Sequence, residues 1–560
     1  MNSTNTQAAP AAKGGVGKLD QFFQITRRGS TVGQEVKAGV SVCFVSVCAL
    51  FMNLQIVTKA FSGNIPYCGL YLAATLTAFA GTLLLGLLCN LPLVQTASLS
   101  LSTVLISTLG AGTGLTYENL LAVSFISAVI YLALMLIPQA KKFVYSLLPG
   151  SVRKALPVTM GLYVAYIALA NMGLLDGLAL ADLSNAAQGG ASVAPYLRLC
   201  AMAGVITIAA VLLLKKRRVS VPMLNGLVWG LLVFFLIAAV GGDLLFGNVF
   251  AQNRIWVGIN PDKLGEMYTI ARGFRELELG AVVTKGFDFS AYIAAGGNVA
   301  MLFIQGVLTF LFVGMYESEA SVLGANADNQ LLDDDGYESA SGRILLANAI
   351  TNAAAPILGA APVSVGKQSA VATEDGGRTG LTSVVCAIGY LIAAFTWLPF
   401  ALLSAYNASV PEYGHAGYVF PNVIQAGFQA VDGVMLLAGL GMLRGARKLE
   451  GMDWDEMVSF GATVAVGVFS QNIAYGVAAG VLVFALAKLF SFQSVELKKA
   501  GAAVWIMAVM SAVLLMLALM GTAKTAGGSG QGGDNSNTTT DTAVLTLDAN
   551  SGQFELRPVK

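Results

Sequence analysis

Gln95-Thr-Ala-Ser-Leu-Ser-Leu-Ser-Thr103 and Ala361-Pro-Val-Ser-Val-Gly-Lys-Gln-Ser369 are two short, polar interruptions of long apolar segments. Each is the third segment in its own run of about seven apolar segments. Lipid offers no hydrogen bonds, so an irregular backbone at membrane depth persists only where it lines a cavity or is buried in protein. Two such breaks at matching places in two halves of a chain indicate the substrate site of a transporter.

The composition around these breaks is that of a membrane protein. Apolar residues make up 56% of the chain and charged residues 11%, and the mean hydropathy is +0.71. An average soluble protein is roughly a quarter charged. A net charge of +1 gives no reason to expect nucleic acid as a partner. The lone histidine, His415, lies in a predicted loop, and the six cysteines show no metal or disulfide spacing, so we predict no metal, no cofactor and no enzyme.

A membrane-spanning helix needs about 20 apolar residues. The first set of candidate spans lies near 38–60, 67–89, 94–111, 119–138, 157–175, 197–214 and 219–241. After an amphipathic connection, the second set lies near 297–324, 343–360, 362–375, 380–403, 421–449, 457–471 and 473–490, and a further apolar stretch covers 501–521. The fold class is therefore an all-α polytopic membrane protein with about 14 transmembrane segments.

The placement of lysine and arginine gives the orientation. Every basic cluster follows an even-numbered span, as in Lys215-Lys-Arg-Arg218 after the sixth span and Arg444, Arg447 and Lys448 at the end of the twelfth. Because cytoplasmic loops carry the excess of basic residues, the N-terminus is expected in the cytoplasm of a multi-pass protein of the plasma (inner) membrane. Seven spans per half force the halves into opposite orientations, which predicts an inverted repeat.

Glu317 and Glu319 are carboxylates inside the eighth span, and ionisable groups at membrane depth are functional candidates. On a helix they point about 200° apart, so one of them faces a given site. The neighbours of Glu317 at three and four residues are small, whereas those of Glu319 are larger. We therefore expect Glu317 to be the site carboxylate and Glu319 to lie at the cavity edge or in a structural pair.

Lys367 and Gln368 lie in the second break. If 363–366 are extended, a half-helix begins near 367, and a lysine there opposes the positive end of the helix dipole. Lys367 should then pair with a carboxylate such as Glu317, bind an anionic substrate, or reach water. In the first break, Ser98, Ser100 and Ser102 alternate with leucine, and an extended segment would place them on one side.

The order of these segments resembles the AzgA-like purine permeases, a branch of the nucleobase–ascorbate transporter superfamily, from about residue 20 to 490. The most specific match is Gly376-Gly-Arg-Thr-Gly-Leu-Thr382 after the tenth span. Weaker matches are Ile473-Ala-Tyr-Gly-Val-Ala-Ala-Gly480, Gly161-Leu-Tyr-Val-Ala-Tyr-Ile167 and Asn90-Leu-Pro92.

This resemblance implies a core domain of spans 1–4 and 8–11 and a gate domain of spans 5–7 and 12–14, with a nucleobase held between the two half-helices and a possible homodimer through the gate domains. The corresponding division of the chain has eight segments. They are an N-terminal segment (1–37), the first core part (38–138), the first gate part (139–241), a connection (242–296), the second core part (297–403), the second gate part (404–490), an extra apolar segment (491–521) and a flexible tail (522–560).

The chain departs from the family pattern at the site. The family's Phe-Asp-Thr of span eight is Tyr316-Glu317-Ser318 here, which keeps an acid. The family's Tyr-x-Glu-Ser of span ten is Gly366-Lys-Gln-Ser369, so a glutamine replaces the second carboxylate. Glutamine hydrogen-bonds a purine edge but carries no proton.

These features predict a secondary active transporter that takes up a purine-like nucleobase together with protons. Ser98, Ser100, Ser102, Ser318, Gln368 and Ser369 would bind the substrate, Tyr316 would pack on it, and Glu317, with Glu319 as second candidate, would carry the proton. The alternative is a transporter of an anion, such as an anionic purine, a carboxylate or an inorganic ion, held by Lys367. A further alternative is a membrane receptor or scaffold that does not transport.

Overall fold

A computed structural model shows how these segments are arranged. It describes residues 15–61, 65–98, 100–102, 115–137, 147–172, 174, 194–246, 269–294, 296–327, 331, 334–396, 420–449, 452–470, 472–490, 502–527, 543–547 and 554–558.

The described part of the chain is mostly helical. The helices of its first half are α1 (Gly15–Phe23), α2 (Val32–Ala60), α3 (Tyr67–Cys89), α4 (Tyr117–Leu136), α5 (Gly150–Asn171), α6 (Ala194–Lys216) and α7 (Pro222–Phe246). The connection contains three short helices, α8 (Ile270–Glu276), α9 (Ala281–Thr284) and α10 (Ser290–Ala294).

The helices of the second half are α11 (Val299–Ala325), α12 (Asp334–Ala354), α13 (Ser369–Glu374), α14 (Gly380–Phe395), α15 (Phe420–Met442), α16 (Trp454–Phe469), α17 (Ile473–Phe490) and α18 (Ala502–Gly527). Short 3-10 helices, Ala355–Leu358 and Leu443–Leu449, follow α12 and α15. The strands are β1 (Gln95–Ala97), β2 (Val363–Val365), β3 (Ala543–Leu547) and β4 (Phe554–Pro558).

Local chemistry fixes where several of these helices begin. The Thr116 side chain accepts from the amide of Asn119, and the Asn119 side chain accepts from the amide of Thr116, which forms a capping box at α4. Asn298 caps α11 through the amide of Met301, and Thr379 caps α14 through the amide of Leu381. Each cap satisfies an amide hydrogen that has no partner within its own helix.

Six described helices are long and apolar enough to cross a bilayer. They cover Val32–Leu54, Cys68–Cys89, Tyr117–Leu136, Gly150–Asn171, Val299–Ala325 and Ile473–Phe490. Shorter apolar helices cover Pro222–Phe234, Gly380–Phe395 and Val504–Met516. Their length and composition indicate a multi-pass membrane protein.

The helices pack mainly within two groups. The first group contains α2, α3, α4, α11, α12 and α14, and the second contains α5, α6, α7, α15, α16 and α17. The half-helix α13 contacts both groups, since it packs against α2, α11 and α15. The two breaks lie within the first group, because β1 packs against α2 and α3 and β2 packs against α11 and α12.

The breaks meet as a two-stranded antiparallel sheet. β1 pairs with β2 so that Gln95 lies opposite Val365 and Ala97 opposite Val363. The second break is extended over Val363–Val365, and α13 begins at Ser369, close to the start expected from the sequence. Two segments some 270 residues apart thereby satisfy each other's backbone groups, which lipid would leave unpaired.

The first break differs from the sequence prediction, because its extended part ends early. Residues 100–102 are helical, and the amide of Ser102 donates to the carbonyl of Ser98 at 3.0 Å. The hydroxyl of Ser98 accepts from the amide of Leu101 at 3.0 Å and so caps this turn. The rest of the third predicted span lies outside the described residues.

The C-terminal region also departs from expectation. The extra apolar segment forms α18, which packs against α17 and α11. The tail expected to be flexible contains an antiparallel hairpin, in which Leu545 pairs with Leu556 and Leu547 with Phe554.

Candidate functional site

Glu317 lies where α11 passes the two breaks, and its side chain is only 4% exposed. The hydroxyl of Ser98 donates to its Oε2 at 2.5 Å, and the hydroxyl of Ser100 donates to its Oε1 at 3.0 Å. Both serines come from the first break, and Ser364 of β2 is also buried beside the carboxyl group. The structure therefore brings together the predicted carboxylate and two of the three predicted serines.

Three other predicted site residues hold the breaks in place. Ser318 accepts from the amide of Val365 at 3.2 Å, Ser369 accepts from the amide of Val94 at 3.1 Å, and Ser102 accepts from the side chain of Asn53 at 2.7 Å. Their hydroxyl groups bind backbone or amide groups of the protein. These hydrogen bonds connect the breaks to each other, to α11 and to α2.

Lys367 and Gln368 lie between β2 and α13, in the second break. Lys367 is buried at 9% exposure, and its Nζ lies 4.7 Å from the ring centre of Tyr163. Neither Lys367 Nζ nor Gln368 Oε1 has a hydrogen-bond partner among the described residues. Buried polar atoms normally have a partner, so these two are candidates for contact with a ligand. We call Ser98, Ser100, Glu317, Lys367 and Gln368 the break site.

Tyr163 brings the second helix group into contact with the break site, and further polar side chains of this group lie on α5 and α15. Tyr163 of α5 shares a hydrogen bond of 3.0 Å with Ser100. Asp432 of α15 is buried and accepts from the side chain of Asn171 at 3.3 Å, while Gln429 donates to the carbonyl of Asn171 at 2.8 Å. The signal for Asp432 was a carboxylate within the twelfth predicted span.

Tyr316 and Glu319 point away from the break site. The hydroxyl of Tyr316 lies 3.6 Å from the sulfur of Met507 on α18, so Tyr316 does not face a ligand at Glu317. Glu319 forms an ion pair of 3.6 Å with Arg153 at the start of α5. Helical periodicity correctly separates Glu317 from Glu319, but it gives no information about α18.

The segment after α13 forms a second polar cluster, which we call the loop junction (374–382 and the side chains bound to it). Glu35 of α2 is fully buried and accepts from the amides of Arg378 and Thr379 at 3.0 and 3.1 Å and from the hydroxyl of Thr382 at 2.6 Å. Thus the predicted Gly-Gly-Arg-Thr-Gly signature serves to bind α2 to α14.

The loop junction also connects the two helix groups. Asp375 accepts from Ser41 of α2 at 2.5 Å and from the amide of Met223, in the first turn of α7, at 2.7 Å. Glu374 forms ion pairs with Lys215 of α6, at 2.7 Å, and with Arg444. At the loop junction, oppositely charged side chains of the two helix groups therefore form ion pairs with each other.

Taken together, apolar helices of membrane length surround a buried polar site where the backbone is interrupted twice. Irregular backbone is tolerated at such a depth where it forms a binding site. This combination defines the class of membrane transporters.

Comparison with known proteins finds several permeases that are similar to this chain over most of its length. The chain is 24% identical to the guanine/hypoxanthine permease GhxP of Escherichia coli O157:H7, over 86% of this chain and 94% of the relative. It is 22% identical to the adenine permease AdeQ of Escherichia coli K12, over 87% and 94%. It is 22% identical to the guanine/hypoxanthine permease PbuO of Bacillus subtilis 168, over 67% and 77%.

No family model matches the chain. Among solved structures, the transmembrane domain of the cyanobacterial bicarbonate transporter BicA aligns with a TM-score of 0.41 at 16% identity, covering 79% of this chain and 96% of that domain. The murine anion transporter Slc26a9 in its inward-facing state aligns with a TM-score of 0.42 at 13% identity, covering 88% and 74%.

The chain is similar over most of its length to proteins named guanine/hypoxanthine and adenine permeases, so the resemblance seen in its sequence is confirmed. Because these relatives are named permeases, the prediction of a membrane transporter rather than an enzyme is also confirmed.

Proposed function

We propose that this protein is a secondary active transporter that takes up a purine-like nucleobase, coupled to protons, across the plasma (inner) membrane. The printed names of its relatives, which are guanine/hypoxanthine and adenine permeases, support the substrate class. The buried carboxylate of Glu317 supports the coupling, because a carboxyl group that gains and loses a proton at membrane depth is a common element of proton-driven transport.

The observation that carries this proposal is the geometry of Glu317 at the crossing of the two breaks. Its two carboxylate oxygens accept hydrogen bonds from Ser98 and Ser100, and the unpartnered Oε1 of Gln368 lies in the neighbouring break. A purine edge carries adjacent donors and acceptors, which this set of hydroxyl, carboxyl and amide groups complements.

We assign the site residues as follows. Ser98, Ser100 and Gln368 hydrogen-bond the heterocycle, and Glu317 accepts a proton on one side of the membrane and releases it on the other. Tyr163 replaces Tyr316 as the aromatic side chain of the site, because its hydroxyl reaches Ser100.

The remaining predicted residues take structural roles. Ser102, Ser318 and Ser369 position the breaks through the hydrogen bonds described above. Glu319 is left outside the proton path, since its described ion pair is with Arg153.

We further propose fourteen spans in a seven-plus-seven inverted repeat, with the first helix group as the core domain and the second as the gate domain. Several helix contacts occur in pairs that are related by replacing each helix with its counterpart in the other half of the chain, and these pairs support this arrangement. The contact of α3 with α14 has its counterpart in α12 with α4, and that of α6 with α15 has its counterpart in α16 with α5. The division follows the sequence boundaries, with 38–138 and 297–403 as core and 139–241 and 404–490 as gate.

The crossing of α5 and α15 also supports the repeat. A Cβ atom on Gly161 would lie 2.6 Å from the carbonyl oxygen of Gly439, and a Cβ on Gly439 would lie 2.7 Å from that of Gly161. These helices occupy the same place in their halves, and their contact is reciprocal, as a two-fold axis between the halves requires.

Basic side chains at the loop junction support a cytoplasmic position for this end of the molecule. Arg28 donates to the carbonyls of Asn90 and Arg378 at this end, and Lys215 and Arg444 are also there. Basic residues favour the cytoplasmic side, so the N-terminus, which enters α2 at the same end, is proposed to be cytoplasmic. A homodimer through the gate domains stays a prediction.

Thermal stabilisation of the purified protein tests the substrate class. The melting temperature would be measured with hypoxanthine, guanine, adenine, bicarbonate, sulfate and acetate at two pH values. We expect stabilisation by at least one neutral purine and by none of the three inorganic or carboxylate anions. Stabilisation by the anions alone would contradict the proposal.

A second candidate function, anion transport, is favoured by one observation. The ammonium group of Lys367 is buried without a hydrogen-bond partner among the described residues, and a bound anion would supply one. In that case Lys367→Gln would remove stabilisation by the anion. A nucleobase transporter would still bind its neutral substrate in this variant.

A further inference from the structure

The end of α3 that lies at the loop junction holds arginine side chains from two other segments. Arg28 donates to the carbonyl of Asn90 at 2.6 Å, and Arg343 of α12 donates to the carbonyl of Leu88 at 3.4 Å. These acceptors are two residues apart at the C-terminus of α3, where the helix dipole favours positive charge. Arg27 is the neighbour of Arg28 in the chain, and we call these three residues the arginine cluster (Arg27, Arg28 and Arg343).

Two members of the arginine cluster keep donor groups that the protein does not use. Arg27 and Arg343 are exposed, and each makes one hydrogen bond of 3.4 Å within the described residues, to Gln24 and to Leu88 respectively. Neither forms an ion pair with a described residue. A guanidinium group has five N–H donors in a planar arrangement that binds phosphate through two hydrogen bonds at once. Both side chains can therefore bind an anion without breaking a strong interaction.

The carboxylates near the arginine cluster are bound to other groups. Asp20 of α1 accepts from the amide and the hydroxyl of Thr26 at 2.7 and 2.8 Å. The carboxylates of the loop junction accept from backbone amides, hydroxyl groups or cations of the second helix group, as described above for Glu35, Glu374 and Asp375. The described part of the chain therefore leaves Arg27 and Arg343 without a paired negative charge.

Exposed apolar side chains border the arginine cluster. Leu87 and Leu88, in the last turn of α3, are 47% and 42% exposed. On α1, Leu19 and Phe22 are one turn apart and are 41% and 60% exposed. Asn90 holds α1 next to α3, because its side chain donates at 2.8 Å to the carbonyl of the last residue of α1. Apolar side chains beside cationic groups are typical of the boundary between the acyl chains and the headgroups of a bilayer.

We propose that the arginine cluster binds the phosphate of an anionic phospholipid whose acyl chains lie against Leu87 and Leu88. The phosphodiester takes the unused donors of Arg27 and Arg343, and Phe22 inserts beside the acyl chains. The lipid thereby connects the N-terminal segment to α12 and holds it on the first helix group. The cytoplasmic leaflet, on which this end is proposed to lie, carries the anionic lipids that attract basic residues. The break site takes no part, so lipid binding here is independent of the transported substrate.

The test measures the melting temperature of the full-length protein in detergent micelles that contain phosphatidylglycerol, phosphatidylcholine or no lipid. For the wild type, we expect the anionic lipid to raise the melting temperature by at least about 3 °C more than the zwitterionic lipid does. The double variant Arg27→Gln, Arg343→Gln should lose most of this difference, because it lacks the two guanidinium groups with unused donors. High salt should reduce the difference in the wild type, since these charges are exposed.

Arg275→Gln is the matched control. Arg275 is also an exposed arginine, but it belongs to α8, which packs against the opposite end of α3 near Gly69. This variant should respond to phosphatidylglycerol as the wild type does. A double variant that keeps the full difference between the two lipids would overturn the inference. Inorganic phosphate that stabilises the wild type as strongly as phosphatidylglycerol would also overturn it, because the site would then bind a free anion.

A second measurement needs no variant and therefore covers the case in which the double variant does not fold. Native mass spectrometry of the wild type, released from micelles with equal amounts of the two lipids, should show phosphatidylglycerol retained in preference to phosphatidylcholine. Equal retention of the two lipids would contradict the inference. Stabilisation by hypoxanthine should be the same in the wild type and in the double variant, so failure of the lipid site leaves the proposed nucleobase function untouched.

Discussion

The break site and the loop junction are both polar clusters in an apolar protein, but they differ in how well their polar atoms are satisfied. At the loop junction, Glu35 accepts three hydrogen bonds, and Glu374 pairs with two cations. At the break site, Lys367 Nζ and Gln368 Oε1 have no hydrogen-bond partner within the described structure.

The completeness of hydrogen bonding therefore distinguishes a polar cluster that holds helices together from one that binds a substrate. A fully paired cluster holds helices together, whereas unpaired buried groups cost free energy that a bound substrate recovers. The comparison therefore predicts that substitutions at the loop junction act on stability and those at the break site act on transport.

The largest effect is expected from Glu35→Ala. It leaves the amides of Arg378 and Thr379 and the hydroxyl of Thr382 without their acceptor in a buried position. We expect a loss of about 3 kcal/mol in stability, seen as a lower melting temperature in detergent. Glu456→Ala in the first turn of α16 is the control and should change little. An unchanged melting temperature in Glu35→Ala would show that the junction does not hold α2 to α14.

Ser100→Ala should act mainly on substrate binding. It removes the hydrogen bonds to Glu317 and Tyr163. We expect hypoxanthine affinity to fall about tenfold, equivalent to about 1.4 kcal/mol, with little change in melting temperature. The matched control is Ser124→Ala, because the Ser124 hydroxyl donates only to the carbonyl of Leu121 in its own helix. Equal effects of the two variants on affinity would argue against a site at Ser100.

Gly366→Ala tests Gln368 without changing it. A Cβ at Gly366 would lie 2.5 Å from Gln368 Oε1, so the glutamine side chain must move. The clash is with the end of a flexible side chain, and we therefore expect a stability change below about 1 kcal/mol but about fivefold weaker hypoxanthine binding. Binding at wild-type strength would remove Gln368 from the proposed substrate contacts.

The smallest effect is expected from Glu374→Gln. Its partners Lys215 and Arg444 are about a third exposed, with side-chain exposures of 31% and 34%. Ion pairs near water contribute little, so the stability loss should be at most about 1 kcal/mol, and hypoxanthine affinity should stay unchanged. The measurement is a melting curve at low and high salt. A loss of affinity in this variant would break the separation between the two regions.

Much of the architecture could be predicted because lipid limits the backbone to few solutions. The two breaks stood out as polar residues in apolar segments, and the structure pairs them as β1 and β2. Helical periodicity placed Glu317 and Glu319 on different faces, as the structure shows.

The contents of the site were harder to predict, because contacts between distant segments decide them. Ser102, Ser318 and Ser369 look like ligands in the sequence, yet each binds another part of the protein. Tyr163 lies in a helix that the sequence gives no reason to place beside the breaks. Tyr316 faces α18, whose position no local pattern reveals.

The most direct test of the account is proton-driven accumulation of radiolabelled hypoxanthine in proteoliposomes that contain Glu317→Gln. One proton moving down 100 mV supplies about 2.3 kcal/mol, enough for roughly fifty-fold accumulation by the wild type. The glutamine keeps the shape of the side chain but carries no proton, so accumulation should disappear while exchange of hypoxanthine at equal concentrations continues. Undiminished accumulation in Glu317→Gln would contradict the central claim that Glu317 couples protons to transport.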